Sequence, residues 1–453
     1  MKNKILSTTI YVLILLIFLA FNSFSQNIPY GNAGNTDNEK IEWLKRSALR
    51  IKSTDPNDED YSDLKQLKDK IGDSRIVMLG EQSHGDGTTF LMKTRLIEFL
   101  IKEMGFDVIL FESGLFDCRK IDEFIKNGEP VLQSIRKGVF PIWNLSEQFQ
   151  PLINFIDKHK KNLNIGGFDC QFTGEASKEY FLHDFENYLK SKNIDTNNYS
   201  NWINIRTILK DISQERYIMP QPLPPTLDLQ TNFINRIQQI IASLRALSND
   251  TTPSDTEFWI QMLESSVQQA KSIWQSYGVK DFSTIPIETR NIRDIQMGKN
   301  LIWQANVNYP SKKIIVWAAT YHIARNLEKV EVIGSPNMYD GTVTMGDIAW
   351  KSLGNQLYTI GFTAYEGDVG WANNQYKRTL EKPDPNSLEG LLFKTGYDNC
   401  FLDLSNLNNS GKWLQQKIIS RPLGYANMNS DWSQNMDGII FTKNMIPSKK
   451  ASE

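Results

Sequence analysis

Glu81 and His84 stand three positions apart in the run Val77-Met78-Leu79-Gly80-Glu81-Gln82-Ser83-His84-Gly85. A carboxylate and an imidazole at this spacing suit proton transfer, because imidazole alone has an ordinary pKa near neutrality. The chain holds only four histidines, at 84, 159, 183 and 322. His322 closes a second run of the same kind, Ile314-Ile315-Val316-Trp317-Ala318-Ala319-Thr320-Tyr321-His322, and Glu112 closes a third, Val108-Ile109-Leu110-Phe111. Hydrolysis needs an activated nucleophile and a charge-stabilising group. No Gly-x-Ser-x-Gly elbow is present, so a water activated by His84 is the simpler nucleophile. Lys93, His322 and the backbone N–H groups of Gly85 to Gly87 are candidates to stabilise the developing charge.

Other chemistries fit the same residues. Glu-x-x-His with a distant Glu and a distant His could bind a divalent ion, which would make a metal-dependent hydrolase. A histidine could also serve as an axial ligand in a non-enzymatic haem-binding protein. Glu81 and Glu112 could instead cap helices or pair with Lys or Arg, and Arg293-Asp294 could be a structural ion pair.

The positioning elements follow from periodicity. The three apolar runs predict buried parallel strands, whose carboxyl ends are where ligands sit in open α/β sheets. Phe90 to Met104 has helical spacing and stops at Gly105, a C′ residue. This gives a strand–helix–strand unit with a right-handed crossover, offering Glu81, His84 and Glu112 to one cleft. Ile165–Phe168, Leu357–Phe362 and Gly438–Phe441 are further strand candidates. The fold class is therefore α/β, a mostly parallel central sheet flanked by helices. Asn232–Leu247 and Thr256–Tyr277 are amphipathic at helical spacing, and Tyr217–Thr226 is a proline-rich loop. Together they predict a helical insertion over 175–300, forming a lid over the cleft, between core segments 61–174 and 301–445.

With 453 residues, of which 40% are hydrophobic, the chain can build a large core. Lys+Arg 50 against Asp+Glu 52 gives a net charge of −2, which offers no electrostatic case for nucleic acid or an anionic membrane surface. Cys118, Cys170 and Cys400 have no metal-like spacing, and buried thiols are expected. Lys2, Lys4, the apolar run Ile10–Phe21 and Ser23-Phe24-Ser25 predict a signal peptide over 1–25, cleaved before Gln26. No Cys follows to carry a lipid, so export to a periplasm or the outside without a stable membrane anchor is expected. Residues 26–60 should be linker, with a helix near Ile41–Ile51.

These segments together resemble the erythromycin esterase family. The matching pieces run from about Gly80 to Phe441: Leu79–Gly85, Phe111-Glu112, Trp143-Asn-Leu-Ser-Glu147, Gly167-Phe-Asp169, Arg293-Asp294 with Met297 and Asn300, Trp317–His322 and Met345-Gly346. The resemblance implies hydrolysis of an ester or lactone, above all a macrolide ring, by water, with no acyl-enzyme and no cofactor or metal. It implies His84 as general base, with Glu81 and Glu112 orienting the imidazole or the water. His322 would contact substrate or support developing charge. Trp143, Glu147, Asp169 and Arg293 would lie on the substrate side. Two positions depart from the pattern. Where the family often has His-Asn-x-His, Ala319 and Thr320 precede His322, and Lys93 stands where the family has Arg. Lysine keeps the charge but not the paired fork of arginine. Both departures bear on which macrolide or other ester is taken.

Overall fold

The computed structural model describes residues 36–196, 199, 201–214, 223–247, 255–279, 284–372 and 376–451. The expected signal peptide and most of the proline-rich loop lie outside them. The described residues form two units. The larger holds residues up to Leu110, Ile142–Asn164 and Lys312 onward; the smaller holds Phe111–Pro141 and Ile165–Ser311.

The strands are β1 (Leu49–Arg50), β2 (Ile76–Leu79), β3 (Val108–Gly114), β4 (Asn164–Asp169), β5 (Ile314–Trp317), β6 (Glu331–Val332), β7 (Leu357–Gly370), β8 (Lys377–Thr379), β9 (Asn399–Asp403), β10 (Ile418–Ser420), β11 (Met428–Ser430) and β12 (Gly438–Met445). In the larger unit the main sheet runs β1-β9-β12-β7-β2-β5. Its centre is parallel: β2 pairs with β5 from Ile76↔Ile314 to Leu79↔Trp317, and with β7 from Ile76↔Leu357 to Leu79↔Ile360. Such strands are covered on both faces, which is why all four residues of β2 and of β5 are apolar and buried. The edge is antiparallel, β12 with β9 and β9 with β1. β3 enters beside β5, the Val108 N–H donating to the Lys313 carbonyl at 3.2 Å, and β4 enters beside β3 through Asn164 N–H on Asp107 O.

The helix after β2 spans Gly87–Met104 and stops at Gly105, φ 70°. Leu96, Phe99 and Leu100 on it are almost wholly buried. The N-terminal helix spans Asp37–Ser47, earlier than the Ile41–Ile51 expected. Thr36 and Glu39 form a reciprocal capping box that starts it. Leu49 and Arg50 leave it to pair with β9. β7 runs to Gly370, well past Phe362, because β12 pairs with it as far as Met445↔Gly367 and β8 pairs with it beyond.

The smaller unit carries the C-terminal half of β3, most of β4, and a helical stack. Its helices include Glu175–Ser191, Trp202–Ser213, Leu227–Leu247, Asp255–Gln275 and Ile287–Trp303. Their apolar faces meet in one core, with Phe181, Phe185, Leu209, Ile237, Ile241 and Leu263 buried. Asp117 closes the start of the Glu175–Ser191 helix. Gly174 at that N-cap has no side chain, and the Asp117 carboxylate instead accepts from Thr173 N–H at 3.0 Å and Ser177 N–H at 2.7 Å. All three cysteines are buried free thiols. No helix among the described residues is long and apolar enough to cross a membrane.

Candidate active site

In the larger unit the end of β2 delivers Glu81. The parallel register sets Leu79 beside Trp317, so Gly80-Glu81 lies next to Ala318. The Thr320 N–H donates to Glu81 O at 2.9 Å. Thr320 also explains Gly80, since a Cβ there would stand 2.4 Å from Thr320 Oγ1.

The Glu81 side chain is wholly buried and both its oxygens are engaged. Oε1 meets His84 Nδ1 at 2.8 Å and accepts from Trp143 Nε1 at 2.7 Å. Oε2 accepts from Lys93 Nζ at 2.8 Å. The Lys93 ammonium is likewise enclosed; it donates to Ala318 O at 3.2 Å and sits 3.9 Å over the Trp317 ring. A charge pair with no exposure is held only when its geometry and extra hydrogen bonds offset desolvation. Here the indole, the imidazole and the Ala318 carbonyl provide those bonds.

This arrangement fixes the imidazole. A carboxylate oxygen only accepts, so His84 Nδ1 is the donor in this bond, and in the neutral ring the lone pair is then on Nε2. The ring packs edge-on against Trp143, with centroids 5.4 Å apart, and its side chain is 19% exposed.

Backbone bonds hold the loop beyond. Ser83 N–H donates to Asp86 Oδ2 at 2.8 Å, Gly85 N–H to Ser83 Oγ, and Gly87 N–H to Ile446 O. The N–H groups of Gly85 and Gly87, expected as charge stabilisers, are therefore already bonded. Asp86 is fully buried, and burial drives its pKa well above the carboxylate range. The Ser83 N–H opposes that shift and the charge of Glu81 adds to it. His322 is 7% exposed, on the short helix Thr320–Ile323 that Thr320 ties to Glu81. Glu147 is exposed and opens the 3-10 turn Glu147–Phe149.

In the smaller unit the ends of β3 and β4 deliver Glu112 and Asp169 to Arg293. Nη2 of Arg293 donates to Glu112 Oε1 at 2.9 Å and to Asp169 Oδ2 at 2.6 Å, and Nε donates to both Asp169 oxygens. Burial disfavours the guanidinium charge, but Asp169 and Glu112 outweigh it and hold the pKa well above the usual arginine value. Buried amides set this helix against β4. Asn300 donates to Phe168 O and accepts from Gln261, Ser265 and Gln296, while Gln304 donates to Gly167 O.

Among the described residues, no group of three or more His, Cys, Asp or Glu side chains is arranged to hold a metal ion. The sequence motif Glu-x-x-His is instead occupied by hydrogen bonds within the protein.

The erythromycin esterase family model matches residues 101–445, well over half of the chain. The chain belongs to the erythromycin esterase family. YbfO of Bacillus subtilis (strain 168), named as a hydrolase, is 25% identical over 471 residues, covering 99% of each chain. The erythromycin esterase type II of Escherichia coli is 23% identical over 389 residues, covering 81% of this chain and 89% of that one. Solved structures share the fold. A Bacillus cereus protein superposes with a TM-score of 0.73 at 19% identity, covering 94% of this chain and all of its own. A variant of the erythromycin esterase EreC in its open conformation gives 0.68 at 15% identity, covering 89% and 98%. Family membership supports hydrolase activity.

Within this family member, the structure gathers Glu81, His84, Lys93 and Trp143 into one bonded cluster of the larger unit, and Glu112, Asp169 and Arg293 into one of the smaller unit. No local pattern indicated the Trp143 bond, and the role of Asp86 was not read from the sequence although a signal for it was there. The Ser83-x-x-Asp86 spacing, which lets a carboxylate take a backbone N–H three residues back, was the available signal.

Proposed function

We propose that this protein opens an ester bond in a cyclic ester, a macrolide ring above all, by water that His84 activates, with no acyl-enzyme. The observation that carries the reading is the shared Glu81 Oε1, which binds His84 Nδ1 at 2.8 Å and Trp143 Nε1 at 2.7 Å. A base held in one tautomer and one orientation loses little freedom when it accepts a proton from water. The proton passes from water to His84 Nε2 as the water oxygen bonds to the ester carbonyl carbon. The imidazolium formed is stabilised by Glu81, and its proton leaves with the alkoxide when the C–O bond breaks.

Lys93 and Trp143 act through Glu81 in this reading. The Lys93 ammonium has its bonds inside the protein, to Glu81 and the Ala318 carbonyl, so it holds Glu81 in place rather than meeting the ester carbonyl oxygen. His322 is the remaining candidate for that oxygen. The changes at Ala319 and Lys93 bear on which esters fit. Export, suggested by Lys2, Lys4 and Ile10–Phe21, belongs to the same proposal.

The test is incubation of folded, pure protein with a panel of macrolides and simpler lactones, in the presence of a strong chelator, read by mass spectrometry. At least one member, and not all, should gain one water. A panel with no such product would overturn the lactone reading, and product seen only when the chelator is replaced by zinc or manganese would favour a metal-dependent reaction.

A further inference from the structure

The segment after β12 makes a ladder of bonds to two separate pieces of the cluster. On one side it holds the loop that carries His84. Gly87 N–H donates to Ile446 O at 2.9 Å, Ile446 N–H to Thr88 Oγ1 at 2.9 Å, and Ser448 N–H to Gly85 O at 2.9 Å. Asp86 and Pro447 pair as an isolated bridge. On the other side it holds the turn that follows Trp143. Glu147 N–H donates to Lys449 O at 2.7 Å, Ala451 N–H to Leu145 O at 2.9 Å, and Lys449 N–H to Gln148 Oε1 at 2.8 Å. Ser448 Oγ meets Ser146 Oγ at 2.8 Å, and both serines are buried.

Ser448 is thus bonded to the residue after His84 by its backbone and to the residue three after Trp143 by its side chain. Ser146 N–H in turn donates to Trp143 O at 2.8 Å. The fit is close: a Cβ on Gly87 would stand 2.7 Å from Pro447 O. The His84 loop joins β2 to the Gly87–Met104 helix, and the Trp143 turn joins the short helix Pro141–Asn144 to the 3-10 turn Glu147–Phe149, so the strap bonds across the ends of separate elements.

We propose that residues 446–451 are a positioning strap, which sets the separation of the His84 loop and the Trp143 turn so that imidazole and indole converge on Glu81 Oε1. Ser448 and Gln148 are its positioning residues. The strap's part in turnover rests on the reading of His84 as the base.

The test needs no substrate. The Trp143 indole N–H is followed by NMR in protein carrying 15N-labelled tryptophan, with Trp143→Phe identifying the signal. Ser448→Ala and Gln148→Leu are made singly and together. The double variant should shift that one indole signal and raise its hydrogen exchange about tenfold or more, because a local opening exposes it without global unfolding. Ser448→Thr, which keeps the hydroxyl, should leave it near the wild-type value. The strap is overturned if the signal and its exchange stay unchanged, or if every indole is loosened alike. With a hydrolysed lactone in hand, the double variant should lower kcat with KM little changed, and should add little in the Trp143→Phe background, since coupled residues are non-additive. Full additivity would overturn the route through Trp143. An inactive His84 variant beside unaltered strap variants would spare the base and remove the strap, and an active His84 variant would do the reverse.

Discussion

The indole nitrogen of Trp143 lies 2.7 Å from Oε1 of Glu81, the same oxygen that meets His84 Nδ1. The carboxylate is thereby pinned from two sides, and the imidazole inherits its orientation. This makes Trp143, wholly buried, a support for the base.

Trp143→Phe keeps most of the ring and removes the N–H. A hydrogen bond to a charged group is worth about 1.5–3 kcal/mol. Steady-state kinetics should show kcat lowered by about tenfold or more with KM little changed, since about 1.4 kcal/mol is tenfold. Wild-type kcat in this variant would contradict the pinning.

Lys93→Met leaves Glu81 buried without its cation. Removing one member of a buried pair costs about 3–5 kcal/mol, and urea denaturation should show a loss of that order. Lys93→Arg should not be neutral either. The site encloses Nζ completely, and overpacking costs about 1–3 kcal/mol.

The strand ends were legible in the sequence because β2, the first half of β3 and β5 are continuous apolar runs, which parallel central strands require. The Gly87–Met104 helix was legible from its period and from Gly105. The short strands β6 and β8 to β11 were not. They span two to five residues, and their pairing is decided by distant partners such as β11 with β6. Glu81 and His84 stood out by spacing, whereas the Lys93–Glu81–Trp143 contacts join positions up to 62 apart and have no local signature. The strap, Ile446-Pro-Ser-Lys-Lys-Ala451, is polar, aperiodic and interrupted by proline, so it carries no pattern that marks its bonds.

Arg293→Met in the smaller unit should leave Glu112 and Asp169, both bonded to the same Nη2, as an uncompensated like-charge pair. Two carboxylates left side by side repel each other when both are ionised, so the destabilisation should be full near neutral pH and fade in acid. Thermal denaturation of the variant between pH 7 and pH 4 checks this; a loss that does not shrink in acid would contradict it.

Asp117 gives a second pH signature. Burial raises its carboxyl to about 6, against the backbone N–H groups of Thr173 and Ser177 that favour the charge. Unfolded aspartate titrates near 3.9. Between about pH 4 and 6 the native state holds the extra proton, so this group's contribution to stability falls as pH rises and is fully lost above about 6. Asp117→Asn should lack that slope. It should also lose about 1–3 kcal/mol throughout, because one amide end now faces an N–H it cannot accept from. Melting curves at pH 5 and pH 7 for both proteins measure the difference, and identical slopes would contradict the assignment.

The account rests most directly on His84. Its ring is the one basic group oriented by the Glu81 cluster and partly exposed, so His84→Ala should remove the proton acceptor and leave the buried pair in place. The decisive measurement is kcat of His84→Ala against wild type on a hydrolysed lactone, with melting curves run on the same samples. The account predicts a loss of at least about a hundredfold, the lower end for general-base catalysis, with cooperative unfolding retained. A folded His84→Ala protein that turns over at close to the wild-type rate would contradict it.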